Sequence, residues 1–239
     1  IAVMSGNFLQ RGEPALVDKW TRSKMAVAAG VDLVIELPYA FATAQASDFA
    51  KGAIFLLDAL KCHSFCFGSE EGSLEAFQET YNLLLTKKDE YNTAIASYMK
   101  KGISYPKALN EAYNEISEAT TVRLVDLSKP NNILGYHYIQ AANHLNSDIK
   151  PETIQRVVAN YHDDALKTET IASATGIRKL LFEGQKLSEV NAFMPSTSLL
   201  GLTEWESNNK SFGSWEQFYP ALRLLIIRSS REELGQIAE

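Results

Sequence analysis

The chain has 239 residues, 46% of them hydrophobic and 22% charged, with a formal net charge of -6. That balance supplies enough apolar material for a globular core. The acidic charge excludes a general polyanion binder, so any nucleic-acid contact has to rest on local basic patches such as Lys19, Arg22 and Lys24, or Lys100 and Lys101. Such patches are more often solvated helix faces than binding sites.

No apolar run reaches membrane-spanning length and no signal-peptide pattern is present, so a cytoplasmic protein without a membrane partner is expected. Cys62 and Cys66 are the only cysteines. Their spacing is not C-x-x-C and no second pair completes a zinc site, so no metal site is assigned and both are expected as buried reduced thiols on a strand. The opening Ile1-Ala2-Val3-Met4 reads as a strand already under way, and the last helix has no stop signal; a fragment of a longer protein is expected.

The first stretch alternates short apolar strands with amphipathic helices, the pattern of a parallel sheet with crossovers. A strand at Ile1 to Met4 leads into the loop Ser5 to Pro14. Asp18 caps a helix through Ala29, stopped by Gly30. Asp32 to Leu37 form the next strand, ended by Pro38, and Ser47 caps a helix to about Leu60. Cys62 to Phe67 make a third strand, ending at Gly68-Ser69-Glu70-Glu71-Gly72.

From Leu74 to about Asn114 the period is helical, with Leu83, Leu84, Ile95, Tyr98, Met99, Leu109 and Tyr113 facing inward. A further helix opens near Asn131 after Pro130 and carries Ile133, Leu134, Tyr138 and Ile139. Ile154 to Val158 read as a short strand. Beyond Arg178 the pattern is helical, and Ser214 with Gln217 and Ser230 with Glu233 match the capping box. The expected fold is α/β, a parallel sheet flanked by helices over 1–182 and lacking its first strand and helix, followed by the start of a C-terminal helical domain over 183–239.

Three loops leave the carboxyl ends of strands, where open parallel sheets bind ligands. They are Ser5 to Pro14, the Gly68 loop, and the loop before Ser173. In the first, Asn7, Gln10, Arg11 and Glu13 accompany Gly6 and Gly12, more polar groups than a turn requires. In the third, Ser173-Ala174-Thr175-Gly176-Ile177-Arg178 places two hydroxyls and a guanidinium at a helix start. Ser173 or Thr175 can serve as N-cap, free N–H groups and the helix dipole would face an anion, and Arg178 adds a bidentate donor. The same string also fits a capped helix with one surface arginine.

Two other groups are ambiguous. Tyr161-His162-Asp163-Asp164 fits a metal or acid–base cluster or a polar loop, and Glu70 and Glu71 fit either a Mg²⁺ site or a cap for the next helix. His137, between Tyr136 and Tyr138, reads as a packed or partly exposed helix residue.

Met4 to Ala15, Asp18-Lys19-Trp20-Thr21-Arg22, Glu36-Leu37-Pro38, Asn131-Asn132-Ile133-Leu134-Gly135-Tyr136 and Ala172 to Arg178 together resemble the bacterial tRNA(Met) cytidine acetate ligase family, from residue 1 to about residue 220. The resemblance implies a nucleotidyltransferase-like (Rossmann-like) sheet, with 1–182 as an ATP-binding domain, and ATP-dependent activation of acetate as acetyl-adenylate, then acetylation of N4 of the wobble cytidine in elongator tRNA(Met), with Mg²⁺ accompanying ATP. It implies that Ser173, Thr175 and Arg178 hold the triphosphate and the departing pyrophosphate. It further implies that Gly68, Asn131, Asn132 and Arg156 contact the nucleotide, and that Ser5, Gly6, Asn7, Gln10, Arg11, Lys19 and Arg22 serve substrate binding, with Arg11, Lys19 and Arg22 on the RNA-facing side.

Two departures from the family pattern stand out. Gly176 replaces an expected serine, and no Phe-His-x-Gly-His type loop occurs in the sequence, so this chain by itself is expected to be inactive. Two other functions fit the same residues: a nucleotidyltransferase adenylylating a small phosphorylated metabolite, and a nucleotide- or RNA-binding module without turnover.

Overall fold

A computed structural model describes residues 1–118, 120–156, 173–208 and 210–238. In chain order the elements are β1 (Ala2–Ser5), α1 (Lys19–Ala28), β2 (Val34–Leu37), α2 (Tyr39–Ala42), α3 (Ala46–Ala59), β3 (Ser64–Ser69), α4 (Leu74–Thr86), α5 (Lys88–Lys100), α6 (Tyr105–Ser117), α7 (Pro130–His144), β4 (Lys150–Gln155), α8 (Ala174–Phe182), α9 (Leu187–Val190), α10 (Ser196–Ser207), α11 (Trp215–Arg228) and α12 (Arg231–Ala238). The fold is α/β, as expected. It divides into two compact units, one from 1–43 with 159–239 and one from 44–158.

In the first unit β1 and β2 pair in parallel, Ala2 opposite Val34 and Ser5 opposite Leu37. The crossover between them is α1, capped as expected by Asp18, whose carboxylate accepts the Thr21 N–H at 2.7 Å. Burial works against the Asp18 charge, but the Thr21 hydrogen bonds outweigh it and hold the carboxyl below its ordinary range. Val17, Leu181, Leu187, Val190 and Leu202 form the core, drawing α8, α9 and α10 together. The Ser230–Glu233 capping box forms at α12, through Glu233 N–H to Ser230 Oγ and Ser230 N–H to Glu233 Oε2. Its counterpart at α11 does not. Ser214 makes no side-chain cap there, and the Gln217 amide donates to Ser211 Oγ and the Phe212 carbonyl, both at 2.7 Å.

In the second unit β3 and β4 pair in parallel, Ser64 opposite Lys150 and Ser69 opposite Gln155. The fourth strand therefore starts four residues before the expected Ile154, and residues 157 and 158 lie outside the described residues. Lys150-Pro151-Glu152 carries no strand propensity; the pairing with β3 imposes the conformation, and a proline is tolerated on an edge. Alternation along β3 buries Phe65, Phe67 and Ser69 and leaves Cys66 and Gly68 exposed. Cys66 is therefore an exposed thiol, and half-buried Cys62 precedes the strand, contrary to the expectation of two buried strand thiols.

The long helical stretch after Leu74 breaks into α4, α5 and α6, and Met99 turns outward at 47% exposure. Gln45, not Ser47, sits at the N-cap of α3. The unit's core joins Ile54, Phe65, Phe67, Phe77, Tyr113, Val125, Tyr136 and Ile139. A Cβ at Gly135 would run into the Phe67 ring and reach Phe77 at 3.0 Å, so α7 can lie against β3 only because this residue has no side chain.

Gly135→Ala should therefore destabilise the protein by about 1–3 kcal/mol, the usual cost of overpacking, seen as a lower urea midpoint at unchanged m. His137 offers a pH readout. Burial holds its imidazole below the ordinary 6.5 despite the opposing Gln140 hydrogen bond and Asp48 charge. The unfolded chain takes up the proton first, so stability falls as pH drops below about 6.5, and His137→Gln should flatten that decline in urea titrations at successive pH values.

Candidate phosphate-binding site

In the first unit the loop after β1 folds back on itself. Leu9 N–H donates to the Glu13 carbonyl at 2.9 Å, Ala15 N–H to the Asn7 carbonyl at 2.8 Å, and Phe8 bridges Pro14 in antiparallel fashion. Gly12 closes the tip with its N–H on the Leu9 carbonyl at 2.8 Å and φ of +73°, a conformation L side chains rarely adopt. Aromatic contacts fix the outer side, since the Phe8 ring lies 5.8 Å from Tyr39, 5.8 Å from Trp215 and 5.3 Å from Phe218. These contacts are how α11, which has no buried residue of its own, meets the unit.

Helix α8 starts at Ser173, whose hydroxyl oxygen accepts the Gly176 N–H at 3.0 Å; of the two possible caps, Ser173 takes the role and Thr175 lies inside the first turn. The N–H groups of Ala174 and Thr175 have no protein acceptor among the described residues, as at any helix start. Arg178 sits one turn later, half-buried, and its Nη1 donates to the Pro14 carbonyl at 2.9 Å. A cleft of about 430 Å³ results, in which Gln10, Arg11 and Glu13 of the loop face Thr175 and Arg178 of α8 above Ile177.

The remaining predicted residues of this unit surround the ends of β1 and β2. Asn7 Oδ1 accepts the Lys19 N–H at 3.0 Å, and Lys19 Nζ pairs with Glu36 at 2.6 Å. Gly6 leaves room for the Glu36 carboxylate, which a Cβ would strike. Ser5 and Gly6 present their carbonyls to Arg22 Nη1, both at 2.7 Å. Arg11 is exposed, and Arg22 is not.

The second unit carries its own cluster at the carboxyl end of β3 and β4. Gly68 lies against Arg156, which would stand 3.2 Å from an added Cβ, and Arg156 N–H donates to the Ser69 carbonyl at 2.8 Å. The Glu70 carboxylate caps α7, accepting Asn132 N–H at 2.9 Å, Asn131 N–H at 3.4 Å and Asn131 Nδ2 at 2.6 Å. Glu70 thus caps a helix 61 residues along the chain, while Ser73 caps the next helix, α4. Asn132 is 2% exposed; its Oδ1 accepts the Glu71 N–H at 3.0 Å and its Nδ2 donates to the Asp126 carbonyl at 3.1 Å. Sequence reasoning placed the two asparagines beside a ligand and missed Glu70 as the group that orients them.

The sequence Tyr161-His162-Asp163-Asp164 lies outside the described residues. Among the described residues no group of three His, Cys, Asp or Glu side chains could hold a metal ion, and no helix is long and apolar enough to cross a membrane.

Residues 1–239 match the family model described as HIGH Nucleotidyl Transferase. The chain belongs to the HIGH nucleotidyl transferase family. Its whole length is 53% identical to a tRNA(Met) cytidine acetate ligase of Lysinibacillus sphaericus, covering 59% of that protein, and 46% identical to one of Anoxybacillus flavithermus, covering 58%. The chain thus spans under two thirds of the length of these curated relatives. A solved structure of Thermotoga maritima TmcAL bound with alpha-thio ATP superposes with a TM-score of 0.76 at 37% identity, over 88% of this chain and 50% of that one. The apo form gives 0.78 at 36%, over 90% and 52%. The resemblance drawn from the sequence motifs is upheld, and so is the nucleotidyltransferase-like fold of this family member.

Replacing Glu70 by alanine should leave the α7 N–H groups without their acceptor and cost about 1–2 kcal/mol, a typical loss for a helix cap. Amide exchange at Asn131 and Asn132 should accelerate, while Glu70→Gln, which keeps an acceptor, should lose less.

Proposed function

We propose that the chain is the nucleotide-handling part of a ligase that uses ATP to activate acetate as acetyl-adenylate and then acetylates N4 of the wobble cytidine of elongator tRNA(Met). The observation that carries this reading is the shared cleft of the first unit, where the Ser5–Ala15 loop and the Ser173–Arg178 helix start converge. The curated relatives bear the ligase name, and the Thermotoga maritima neighbour is titled as bound with an ATP analogue.

In this reading the free N–H groups at the start of α8, the Thr175 hydroxyl and the Arg178 guanidinium hold triphosphate oxygens. Ser173 keeps those N–H groups aligned by capping the turn. Acetate oxygen attacks the α-phosphorus, and the bond to the bridging oxygen breaks, so the electron pair and the growing charge go to pyrophosphate. No covalent enzyme intermediate is needed, and the protein contributes position and charge neutralisation. Mg²⁺, when carried by ATP, neutralises phosphate charge; with no protein cage among the described residues, no step is assigned to it.

Gly68, Asn131 and Arg156 of the second unit are proposed as nucleotide contacts; Asn132, expected beside them, is 2% exposed with both amide atoms engaged inside the protein, so it positions the loop instead. Ser5, Gly6, Asn7, Gln10, Arg11 and Lys19 are proposed for substrate binding, with Arg11, exposed at the loop, on the RNA side.

The test uses the full-length protein with labelled acetate, ATP and unmodified elongator tRNA(Met). Label on the tRNA supports the ligase; adenylylation of a metabolite without acetate would replace it with the second enzyme reading, and ATP binding without product with the binding module. Arg178→Ala should lower acetyl-adenylate formation by on the order of a hundredfold, the scale of losing one charge-stabilising donor. Unchanged ATP affinity and turnover would overturn the role given to α8.

A further inference from the structure

Arg22 stands with the RNA-facing residues in the sequence pattern, but the fold gives its guanidinium another setting. It is half-buried, and its Nη1 is held by the Ser5 and Gly6 carbonyls, both at 2.7 Å. The next residue, Asn7, pairs its carbonyl with Ala15 N–H, and Ala15 follows Pro14, whose carbonyl holds Arg178 Nη1 at 2.9 Å. One loop base is therefore closed by two guanidiniums, Arg22 from α1 and Arg178 from α8.

Among the described residues neither arginine forms an ion pair with a carboxylate, whereas Lys19, three residues from Arg22, is paired with Glu36. Each guanidinium uses only Nη1 on the protein, so Nε and Nη2 of both lack a partner among the described residues. Burial, with the Arg178 charge adding to it, pulls the Arg22 guanidinium below its ordinary pKa, so the two charges interact. Two like charges held together without a counter-charge are unfavourable until an anion joins them, and guanidinium forks match phosphate oxygens.

We propose that Arg22 is the second guanidinium of the phosphate site, binding the pyrophosphate moiety beside Arg178, and is not an RNA contact. The proposal rests on the adenylylation reading above. As the bond from α-phosphorus to the bridging oxygen breaks, pyrophosphate takes the electron pair, and a second fixed positive charge favours that step and its reverse.

The experiment is acetate-dependent exchange of labelled pyrophosphate into ATP by the full-length protein, with tRNA affinity measured in parallel for wild type, Arg22→Gln and Arg22→Lys. The KM for pyrophosphate should rise about tenfold or more in Arg22→Gln, as expected for one lost charged contact, and be partly restored in Arg22→Lys. The KM for acetate and the Kd for tRNA should stay within about twofold on the same scale. A raised tRNA Kd at unchanged pyrophosphate KM would return Arg22 to the RNA side. A fall in melting temperature with acetate and pyrophosphate constants moving together would reduce it to a loop staple. Both outcomes overturn the proposal. If wild type shows no acetate-dependent exchange, the adenylylation reading fails instead, and calorimetric titration with pyrophosphate decides on Arg22: weaker binding by Arg22→Gln supports the anion site, equal binding removes it.

Discussion

Backbone carbonyls at the base of the Ser5–Ala15 loop need donors that the loop cannot supply, and Arg22 from the helix that follows it and Arg178 from the distant α8 provide them. A loop with its own short ladder still leaves the Ser5, Gly6 and Pro14 oxygens pointing away from it, and unpaired carbonyls in a half-buried setting are costly. Arg22 and Arg178 satisfy them from one side, while Phe8 is gripped by Tyr39, Trp215 and Phe218 on the other. Because each arginine gives only Nη1 to this task, the contacts that build the loop also aim the remaining donors.

The second unit solves a similar problem with carboxylate and amide groups. Helix α7 begins at Pro130 and has no side-chain cap from its own N-cap residue, so its N–H groups depend on Glu70 from the loop after β3. Asn132 then returns a hydrogen bond to Glu71 N–H, tying helix and loop in both directions. Gly68 is placed by its pairing opposite Ile154, and Gly135 sets the depth of α7 against the sheet through its clearance from Phe67. Reciprocal polar ties of this kind rigidify their surroundings.

Local signals in the sequence were legible where the chemistry is local. Asp18 and Ser173 cap the helices they precede because an N-cap is decided within three residues, and Ser230 with Glu233 forms its box for the same reason. The same rule fails at Ser214, which makes no side-chain cap while the Gln217 amide bonds to the preceding turn. It also fails at Ser47, since Gln45 begins α3 two residues earlier. The start of β4 was hidden because Lys150-Pro151-Glu152 becomes a strand only by pairing with β3.

By itself the sequence determined the α/β class, the family and the helix starts at Asp18, Ser173 and Ser230, since each is written in short-range pattern or in motif identity. Only the tertiary structure decided what the charged and polar side chains near those motifs do. Arg22 and Lys19 lie three apart on one helix and look alike as a basic patch, yet one meets carbonyls beside a second arginine and the other a carboxylate. Glu70 looks like a metal ligand or a local cap and proves to cap a helix 61 residues away. The physical reason is common to both cases: the role of a charge is fixed by its partners, and those partners are brought in by the fold from distant parts of the chain.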